Sequence, residues 1–370
     1  MYELLKTSPR SKARLGRLTT ARGVIDTPVF MPVGTQASVK ALDLRELKEI
    51  GTEILLGNTY HLFLRPGLDI IRKAGGLHRF MNWDKPILTD SGGFQVYSLA
   101  KIRKVRDDGV EFRSHLSGEM LFLGPRESMA IQRELGSDIA MLFDECPPHG
   151  ASDSDLQAAV KRTLDWAAIC AEQPRAEGQL YFGIVQGANA PELRKRCAEE
   201  LVAMDFDGYA IGGVSVGEPE PEMMHAVELT EPHLPADKAR YAMGLGTPAQ
   251  LIELVARGVD MFDCVLPSRN ARNGQGLTFE GIVRLKNSCY AKDARVIDET
   301  CTCATCAGGF TRAYLRHLVM AKELLGASLM TLHNLTFMQR LMSGIRGALS
   351  QARFPDWREA TLAMWGDGRQ

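Results

Sequence analysis

One pattern recurs along the chain: a short apolar run ends in small or polar residues and is followed by a segment with helical periodicity. Eight such runs occur, in the order VIDTPVFMPVGT, EILLGNTYHL, PILTDSGGFQ, DIAMLFDEC, LYFGIVQG, GYAIGGVSVG, RYAMGLGTP and MFDCVLPSR. Amphipathic segments such as LDLRELKEIG and TPAQLIELVARG separate most of them. Continuous apolar runs are typical of buried parallel strands, and their alternation with helices favours a parallel sheet.

Eight units of this kind predict an α/β fold of the (β/α)8 class, a TIM barrel, whose functional residues lie at the carboxyl ends of the strands. A doubly wound open sheet is the alternative, but no G-x-G-x-x-G motif follows the first run. The length of 370 residues fits one barrel with additions or two ordinary domains. We interpret residues 1–370 as a single barrel domain, made irregular by two insertions.

The first insertion separates the third and fourth runs. Its stretch GVEFRSHLSGEMLFL alternates and breaks at Ser117 and Gly118, which predicts an inserted hairpin over about residues 105–125. A helix is expected to start at about Pro125, because proline is favoured at the first helical position.

The second insertion follows the eighth run and spans about residues 275–345. Two helices are predicted near its end, one opening near Thr311 and one near Ser328. Gly326 lies between them and is interpreted as the break.

Three cysteines in the second insertion, Cys301, Cys303 and Cys306, form a C-x-C-x2-C motif. Closely spaced thiols predict a zinc site, although three unrelated buried thiols are the simpler alternative. Spacing alone leaves the fourth ligand open among Cys264, Cys289, His317 and His333. A fourth protein ligand would close the site, which makes the ion structural instead of catalytic.

Polar side chains end several of the predicted strands, and they carry the candidate chemistry. Asp90 ends the third run, Asp144 the fourth, Gln186 the fifth and Asp263 the eighth, while Gly212 and Gly213 end the sixth. Each alone is unremarkable, since buried aspartates often cap helices. Together at one end of a barrel, two carboxylates can flank an anomeric carbon for glycosyl transfer, and a carboxylate and an amide can hold a purine.

Composition and charge indicate where in the cell the protein is located and show two groups of basic residues. No signal-peptide run opens the chain and no stretch is apolar enough to span a membrane, so we expect a cytoplasmic protein. The first basic group is interpreted as a solvated face and comprises Lys6, Arg10, Lys12, Arg14, Arg17 and Arg22. The second comprises Arg269, Arg272, Arg284 and Lys286.

Six motifs together with the cysteine cluster resemble the bacterial queuine tRNA-ribosyltransferases, also called tRNA-guanine transglycosylases. They are LTDSGGFQVYSL, MLFDEC, GIVQG, IGGVSVGEP, MGLGTP, MFDCVLPSRNARNG and C-x-C-x2-C followed by a histidine, in order over about residues 10–345. The resemblance implies an irregular barrel with a zinc-binding insertion. It implies exchange of the wobble guanine (position 34) in tRNAs for Asp, Asn, His and Tyr, which have a GUN anticodon, for 7-aminomethyl-7-deazaguanine (preQ1).

The resemblance also implies roles for individual residues. Asp263 would be the nucleophile on the ribose, and Asp90 the general acid/base that accepts the proton of the incoming base. The base-binding set would be Asp90, Ser91, Gly92, Gly93, Phe94, Asp144, Gln186, Gly213, Val214 and Met243. The tRNA-binding set would be Gly244, Leu245, Gly246, Thr247, Pro248, Ala249, Gln250, Arg269, Asn270, Ala271, Arg272 and Asn273.

For the metal, the family pattern implies one structural Zn²⁺ per subunit on Cys301, Cys303, Cys306 and His333. It implies a homodimer as well, with tRNA, preQ1 and guanine as the substrates. The gap between Cys306 and His333 is one residue longer than the family pattern, and we expect the loop at Gly308 to absorb it. A second departure, Val214 where many bacterial members have leucine, is expected to have little effect.

Two rival functions remain at this point. A non-catalytic tRNA-binding subunit on the same fold is disfavoured by the intact Asp90 and Asp263. A metal-dependent hydrolase on a barrel usually has a His-x-His pair on its first strand, and VFMPVG has none.

Overall fold

The protein is described by a computed structural model that covers residues 1–99 and 103–365. Its strands, in chain order, are β1 (Tyr2–Thr7), β2 (Arg14–Thr20), β3 (Gly23–Thr27), β4 (Val29–Met31), β5 (Leu55–Gly57), β6 (Ile87–Thr89), β7 (Arg103–Arg106), β8 (Gly109–Arg113), β9 (Met120–Leu123), β10 (Ile139–Met141), β11 (Leu180–Val185), β12 (Gly208–Ile211), β13 (Ala239–Ala242), β14 (Met261–Asp263), β15 (Gln275–Thr278) and β16 (Gly281–Arg284). Each of the eight apolar runs contains one strand of a single parallel sheet, in the order β4-β14-β13-β12-β11-β10-β6-β5.

The two ends of this sheet meet beside β4. Val33 forms a parallel bridge with Leu56 of β5, the Gly34 amide donates to the Leu56 carbonyl at 2.7 Å, and the Leu56 amide donates to the Pro32 carbonyl at 3.0 Å. These bonds bring the last strand against the first, so the sheet is nearly closed into a barrel. The predicted (β/α)8 class is therefore confirmed, and the open-sheet alternative is wrong.

The helices surround the sheet and follow its strands unevenly. They are α1 (Leu44–Glu49), α2 (Thr59–Leu64), α3 (Leu68–Ala74), α4 (Leu77–Met81), α5 (Gly93–Leu99), α6 (Pro125–Leu135), α7 (Asp153–Ala171), α8 (Pro191–Ala203), α9 (Glu220–Thr230), α10 (Pro248–Ala256), α11 (Leu266–Arg272), α12 (Ala304–Ala307), α13 (Arg312–Ala321), α14 (Leu324–Ser350) and α15 (Phe354–Met364). Three short helices join β5 to β6, whereas single helices join β10 through β14, and this makes the barrel irregular.

Two apolar layers result from the continuous apolar runs. Side chains such as Met31, Leu88 and Phe182 fill the barrel interior, together with residues of the N-terminal sheet β1-β2-β3. A larger cluster lies between the strands and the helices. Strands buried on both faces need this arrangement, which explains why they read as unbroken apolar runs.

The first insertion is a three-stranded antiparallel sheet, β7-β8-β9, and therefore contains one strand more than the predicted hairpin. Its second turn lies where the sequence places it, between Arg113 and Met120, with Gly118 at a φ of 76°. Pro125 occupies the start of α6, as predicted.

The second insertion corrects one boundary. The first of its two helices, α13, is capped by Thr311 as expected, but α14 begins at Leu324 instead of near Ser328. The chain turns at Lys322, which has a φ of 59°, and Gly326 lies inside the second helix. A Cβ on Gly326 would sit 2.8 Å from the Leu318 Cβ, so this glycine permits close helix packing and is not a break.

The N-terminal basic group is not a solvated face throughout. Arg14 is buried and donates from Nη2 to Asp260 at 2.6 Å and from Nε at 3.1 Å. Other members also meet acidic partners, since Lys12 pairs with Glu231 and Arg17 with Asp26 at 2.9 Å. The partners of Lys12 and Arg14 come from distant parts of the chain, and Asp26 lies just beyond the basic stretch, which is why that stretch shows an almost unopposed charge.

Within residues 1–99 and 103–365, none of the helices combines the length and the apolar character that a membrane span requires.

Candidate active site and metal site

Asp90 follows the last residue of β6 and is held by groups at the end of the neighbouring β5. The Asn58 side chain donates to its Oδ2 at 2.5 Å, and the Thr59 amide donates to its Oδ1 at 2.8 Å. Burial raises the pKa of Asp90 to about 6, against the lowering effect of these donors, and the nearby carboxylate of Asp263 raises it further. A carboxyl group with this pKa can accept and return a proton near neutral pH.

Asp263 is the last residue of β14, and two donors fix one of its oxygens. The Tyr241 hydroxyl donates to Oδ1 at 2.5 Å, and the Gly244 amide donates to the same oxygen at 2.8 Å. Burial raises the pKa of Asp263 while the Tyr241 bond lowers it. Because both bonds end on Oδ1, these donors leave Oδ2 free to act on a ligand.

The two carboxylates line one cavity of about 390 Å³ at the carboxyl end of the barrel strands. This is the end that the barrel class predicts for function. The same cavity is lined by other predicted residues, namely Ser91, Phe94, Asp144, Gln186, Gly213, Val214, Met243, Gly244 and Arg269. The carboxylates of Asp90 and Asp263 and most of the predicted base-binding groups therefore share one cavity.

Asp144 and Gln186, the pair predicted to bind the base, contact each other in this cavity. The Gln186 Nε2 donates to Asp144 Oδ2 at 2.7 Å, and the Ser91 hydroxyl donates to Oδ1 at 3.2 Å. Burial raises the pKa of Asp144 to about 6, whereas the Gln186 and Ser91 bonds lower it. A Cβ on Gly93 would approach the Asp144 carbonyl to 2.9 Å, so a glycine is needed for α5 to pass this close.

Backbone conformation also shapes the lining of the cavity around Gly213. Gly213 has a φ of 61°, and a Cβ there would lie 2.7 Å from Gln186 Oε1. Phe94, which is 44% exposed, and Met243 both line the cavity, where they can contact the two faces of a planar ligand.

The predicted tRNA segments divide into reachable and buried residues. Leu245, Gly246, Pro248 and Ala271 are buried, whereas Gly244 and Arg269 are exposed near the cavity. Gln250 forms a capping box with Thr247 at the start of α10 and also donates to Glu220 at 2.9 Å. Its amide is thus engaged within the protein.

Four side chains of the second insertion come together in a buried cluster: Cys301, Cys303, Cys306 and His333. Their ligand atoms lie within 4.8 Å of one another, so the cluster could hold a metal ion. His333 directs Nδ1 at the Cys306 and Cys303 sulfurs, at 3.4 Å and 3.8 Å. Its Nε2 lies 2.8 Å from the Leu277 carbonyl, which is the orienting bond common for a metal-binding histidine.

The other candidate fourth ligands lie elsewhere. Cys289 and His317 are exposed, and Cys264 lines the active-site cavity. The longer gap before His333 contains Gly309 at a φ of 75°, with open space around it, so the loop accommodates the extra residue. Thiolate and imidazole donors in a set of four fit a tetrahedral ion such as zinc.

Sequence reasoning missed the groups that hold the two carboxylates predicted to be catalytic: Asn58, Thr59 and Tyr241. Asn58 ends the second apolar run in the same way that Asp90 ends the third, so its position was a usable signal. Tyr241 lies inside an apolar run and resembles an ordinary core residue, and only its 2.5 Å bond to Asp263 distinguishes it.

Comparison with known proteins assigns the family. The family model described as queuine tRNA-ribosyltransferase matches residues 9–367. A queuine tRNA-ribosyltransferase of Moorella thermoacetica is 56% identical over 96% of this chain and 95% of its own length. Proteins with the same name from Halalkalibacterium halodurans and Staphylococcus epidermidis are 53% and 54% identical, each over 99% of this chain and 96% of their own length. The chain therefore belongs to the queuine tRNA-ribosyltransferase family and is a pentosyltransferase.

Proposed function

We propose that this protein exchanges the guanine at the wobble position of GUN-anticodon tRNAs, those for Asp, Asn, His and Tyr, for preQ1 in queuosine biosynthesis. The observation that carries the proposal is that Asp90 and Asp263 line one cavity that the hydrogen-bonded pair Asp144 and Gln186 also lines. A sugar can then lie between two carboxylates while its base is bound beside them. Glycosyl transfer with retention likewise uses two carboxylates beside the bond that is broken.

The first step uses Asp263 as the nucleophile. Oδ2 forms a bond to C1′ of the ribose while the bond from C1′ to N9 breaks, and its electron pair stays with the purine. Tyr241 and the Gly244 amide hold Oδ1, so they orient the attacking oxygen without blocking it. Asp90 in its protonated form supplies the proton that N9 takes up, and neutral guanine leaves a covalent ribosyl ester on Asp263.

The second step reverses the first with a different base. N9 of preQ1 attacks C1′, the ester bond to Asp263 breaks, and Asp90 accepts the proton that N9 loses. A pKa of about 6 suits Asp90 to both directions of transfer. Attack from the face that the first base left gives net retention, as in glycosidases that use a carboxylate nucleophile.

Recognition of the base follows from the paired donors and acceptors. Asp144 can accept from the ring N–H and exocyclic amine of a guanine-like base, and the Gln186 amide and the Gly213 N–H can donate to its carbonyl oxygen. Phe94 and Met243 would contact the two faces of the ring. The set selects a 2-amino-6-oxopurine pattern, which guanine and preQ1 share.

The aminomethyl group of preQ1 is assigned to the Val214 carbonyl. The Ser215 amide donates to Glu218 Oε1, and the Val216 amide donates to its Oε2 at 2.8 Å. In a trans peptide the carbonyl is opposite to the N–H, so the Val214 carbonyl points away from Glu218. Val214 lines the cavity, and a carbonyl there accepts a hydrogen bond from an ammonium group.

Two arginines on α11 support tRNA as the substrate. Among the described residues Arg269 and Arg272 have no carboxylate partner, and Nη1 of Arg272 is buried without a hydrogen-bond acceptor. Burial and the neighbouring Arg269 lower the pKa of Arg272. Two cations on α11 without a carboxylate partner among the described residues, of which Arg269 lines the cavity, favour contact with an RNA phosphate or anticodon base.

The metal is proposed to be one structural Zn²⁺ on Cys301, Cys303, Cys306 and His333. Four protein ligands close the coordination shell, so the ion would hold the second insertion together and supply no catalytic water. The metal-dependent hydrolase is correspondingly not favoured, because the site has no open position.

We also propose a homodimer. Four exposed apolar side chains lie on α13 and at the start of α14 beside the metal cluster: Tyr314, Met320, Leu324 and Leu325. Large apolar side chains exposed on two consecutive helices can mark an interaction surface, and a second copy of this chain would cover this one. Replacing Leu324 and Leu325 with Lys should shift the protein to monomer in sedimentation; an unchanged dimer would place the interface elsewhere.

Exchange of radiolabelled guanine into unmodified tRNA tests the proposed function. Label should enter a GUN-anticodon tRNA with G at the wobble position and should not enter the same tRNA with A there. Unlabelled preQ1 should then displace the label. Failure of the G-bearing tRNA to acquire label would overturn the proposal, and labelling of the A-bearing tRNA would refute the stated specificity.

A further inference from the structure

Arg194 is a buried cation that the reaction as described does not use. It lies in the first turns of α8 and is 0% exposed. Among the described residues it has no carboxylate within ion-pair distance. Burial lowers the pKa of Arg194 to about 10, so the side chain stays charged at neutral pH. An unpaired buried charge is costly, and such groups are retained where they serve a site.

Its guanidinium fastens the loop that carries Gln186. Nη1 donates to the Val185 carbonyl at 2.9 Å and Nε donates to the Ala188 carbonyl at 2.7 Å. These two carbonyls lie on either side of Gln186 in the chain. The loop between them is unusual, because Ala188 has a φ of 46° and a Cβ on Gly187 would approach the Arg194 amide nitrogen to 2.8 Å.

The remaining nitrogen, Nη2, is directed at the wall of the base site. It is buried without a hydrogen-bond partner, and so is Oε1 of Gln186. A Cβ built on Gly213 would lie 3.4 Å from Nη2 and 2.7 Å from Oε1. The positive charge therefore lies directly behind the two groups, Gln186 and Gly213, that are proposed to bind the carbonyl oxygen of the base.

We propose that Arg194 is a positioning residue with two effects on base exchange, an inference that rests on the proposed function. It holds Gln186 in the orientation that binds the base, and its charge stabilises the purine as the glycosidic bond breaks. In that step the electron pair of the C1′–N9 bond passes to the purine and spreads onto its carbonyl oxygen, while Asp263 forms the new bond to C1′. A fixed cation behind the donors to that oxygen favours the transition state over the ground state.

A purely structural role predicts something different. Arg14 is equally buried, yet it is paired with Asp260 at the amino end of β14, far from the base site. Arg14→Gln should lower thermal stability and leave the folded enzyme's exchange kinetics within about twofold of wild type. It is the matched control for Arg194→Gln.

The test measures the rate of covalent tRNA adduct formation and the KM for free guanine in Arg194→Gln and Arg194→Lys. Loss of the charge and of the loop bonds in Arg194→Gln should slow adduct formation about 10- to 100-fold and raise the KM about 10-fold. Lysine keeps the charge but cannot join both carbonyls. Arg194→Lys should therefore recover most of the adduct rate while its KM stays raised.

Adduct rate and KM both within twofold of wild type in folded Arg194→Gln would overturn the inference. An adduct rate in Arg194→Lys as low as in Arg194→Gln would overturn the charge effect. If Arg194→Gln does not fold, Arg194→Lys decides, and an unchanged KM there would refute the positioning role. If the wild-type enzyme exchanges no guanine, the proposed function itself is wrong. That result is distinct from the results above, which would overturn only the role of Arg194.

Discussion

The two ends of the barrel bury charge in different ways. At the amino ends of the strands Arg14 pairs with Asp260 through two nitrogens, and Arg240 pairs with Glu231 at 2.7 Å. The Arg240 amide also donates to Asp260 at 2.8 Å. Here each buried carboxylate meets a cation, and the network joins the N-terminal sheet to the barrel.

At the carboxyl ends, Asp90, Asp144 and Asp263 are bound by neutral donors alone among the described residues. Neutral donors fix the position of a carboxylate but do not compensate its charge, so burial keeps its pKa high. The pKa values of Asp90 and Asp144 are both raised to about 6. Ion pairs at the amino ends therefore join parts of the fold, whereas at the carboxyl ends the described residues leave these three carboxylates without a cation in the cavity that they line.

Two aspartates three positions apart, Asp260 and Asp263, give the sharpest test of this comparison. Asp263→Asn should lower kcat for guanine exchange by at least about 10⁴-fold with little change in Tm, because an amide is not a nucleophile. Asp260→Asn should lower the free energy of unfolding by about 3 kcal/mol, because Arg14 loses its partner, while the folded enzyme keeps exchanging. Exchange assays and calorimetry on both variants measure these effects. A stable fold with abolished exchange in Asp260→Asn, or an unstable fold with normal exchange in Asp263→Asn, would contradict this comparison.

Removing the metal should act on the fold. Cys303→Ser should lower Tm by at least about 5 °C, because the second insertion loses a ligand of its proposed ion. Activity at low temperature should fall only as far as the folded fraction falls. Cys289→Ser, at an exposed cysteine outside the cluster, should match wild type. A normal Tm with abolished activity in Cys303→Ser would reverse the assignment of a structural ion.

Because the pKa of Asp90 is raised, the rate of the second step should decline at low pH, and we call this decline the acid limb of the pH–rate profile. Below about pH 6 the carboxyl is protonated and cannot accept the proton of the incoming base, so the rate should fall about tenfold per pH unit. The rate at which preQ1 attacks the isolated adduct, followed over roughly pH 4.5 to 8, measures this fall.

Asn58→Ala moves the same limb in a defined direction. Its amide stabilises the charged form of Asp90, so its loss raises the pKa and shifts the limb to higher pH. If the pH at which the rate declines is the same in Asn58→Ala as in the wild type, a group other than Asp90 controls that decline.

The smallest expected effect lies at the Val214 peptide. Glu218→Gln leaves a single acceptor oxygen for the Ser215 and Val216 amides, so the Val214 carbonyl is held less firmly toward the cavity. The KM for preQ1 should rise about fivefold and that for guanine less, because only preQ1 has the aminomethyl group. An equal rise of the two KM values would show that the Val214 carbonyl does not distinguish preQ1 from guanine.

The barrel was predictable because each buried strand is a continuous apolar run, and strand ends such as Asp90 and Asp263 indicated the site. What failed were features set by tertiary contact. Gly326 reads as a break but serves helix packing against Leu318, and Arg14 reads as exposed but meets an acid 246 positions away. Tyr241 could not be recognised as an active-site donor, since nothing local separates it from a core tyrosine.

The central claim is that a carboxylate at position 263, paired across one cavity with that at 90, takes the ribose of the substrate RNA. Mixing enzyme with tRNA, denaturing the protein and sequencing the cross-linked peptide by mass spectrometry tests it directly. The account predicts a ribosyl ester on Asp263 in the wild type and none in Asp263→Asn. An ester on any other residue, or an adduct that persists in Asp263→Asn, would contradict it.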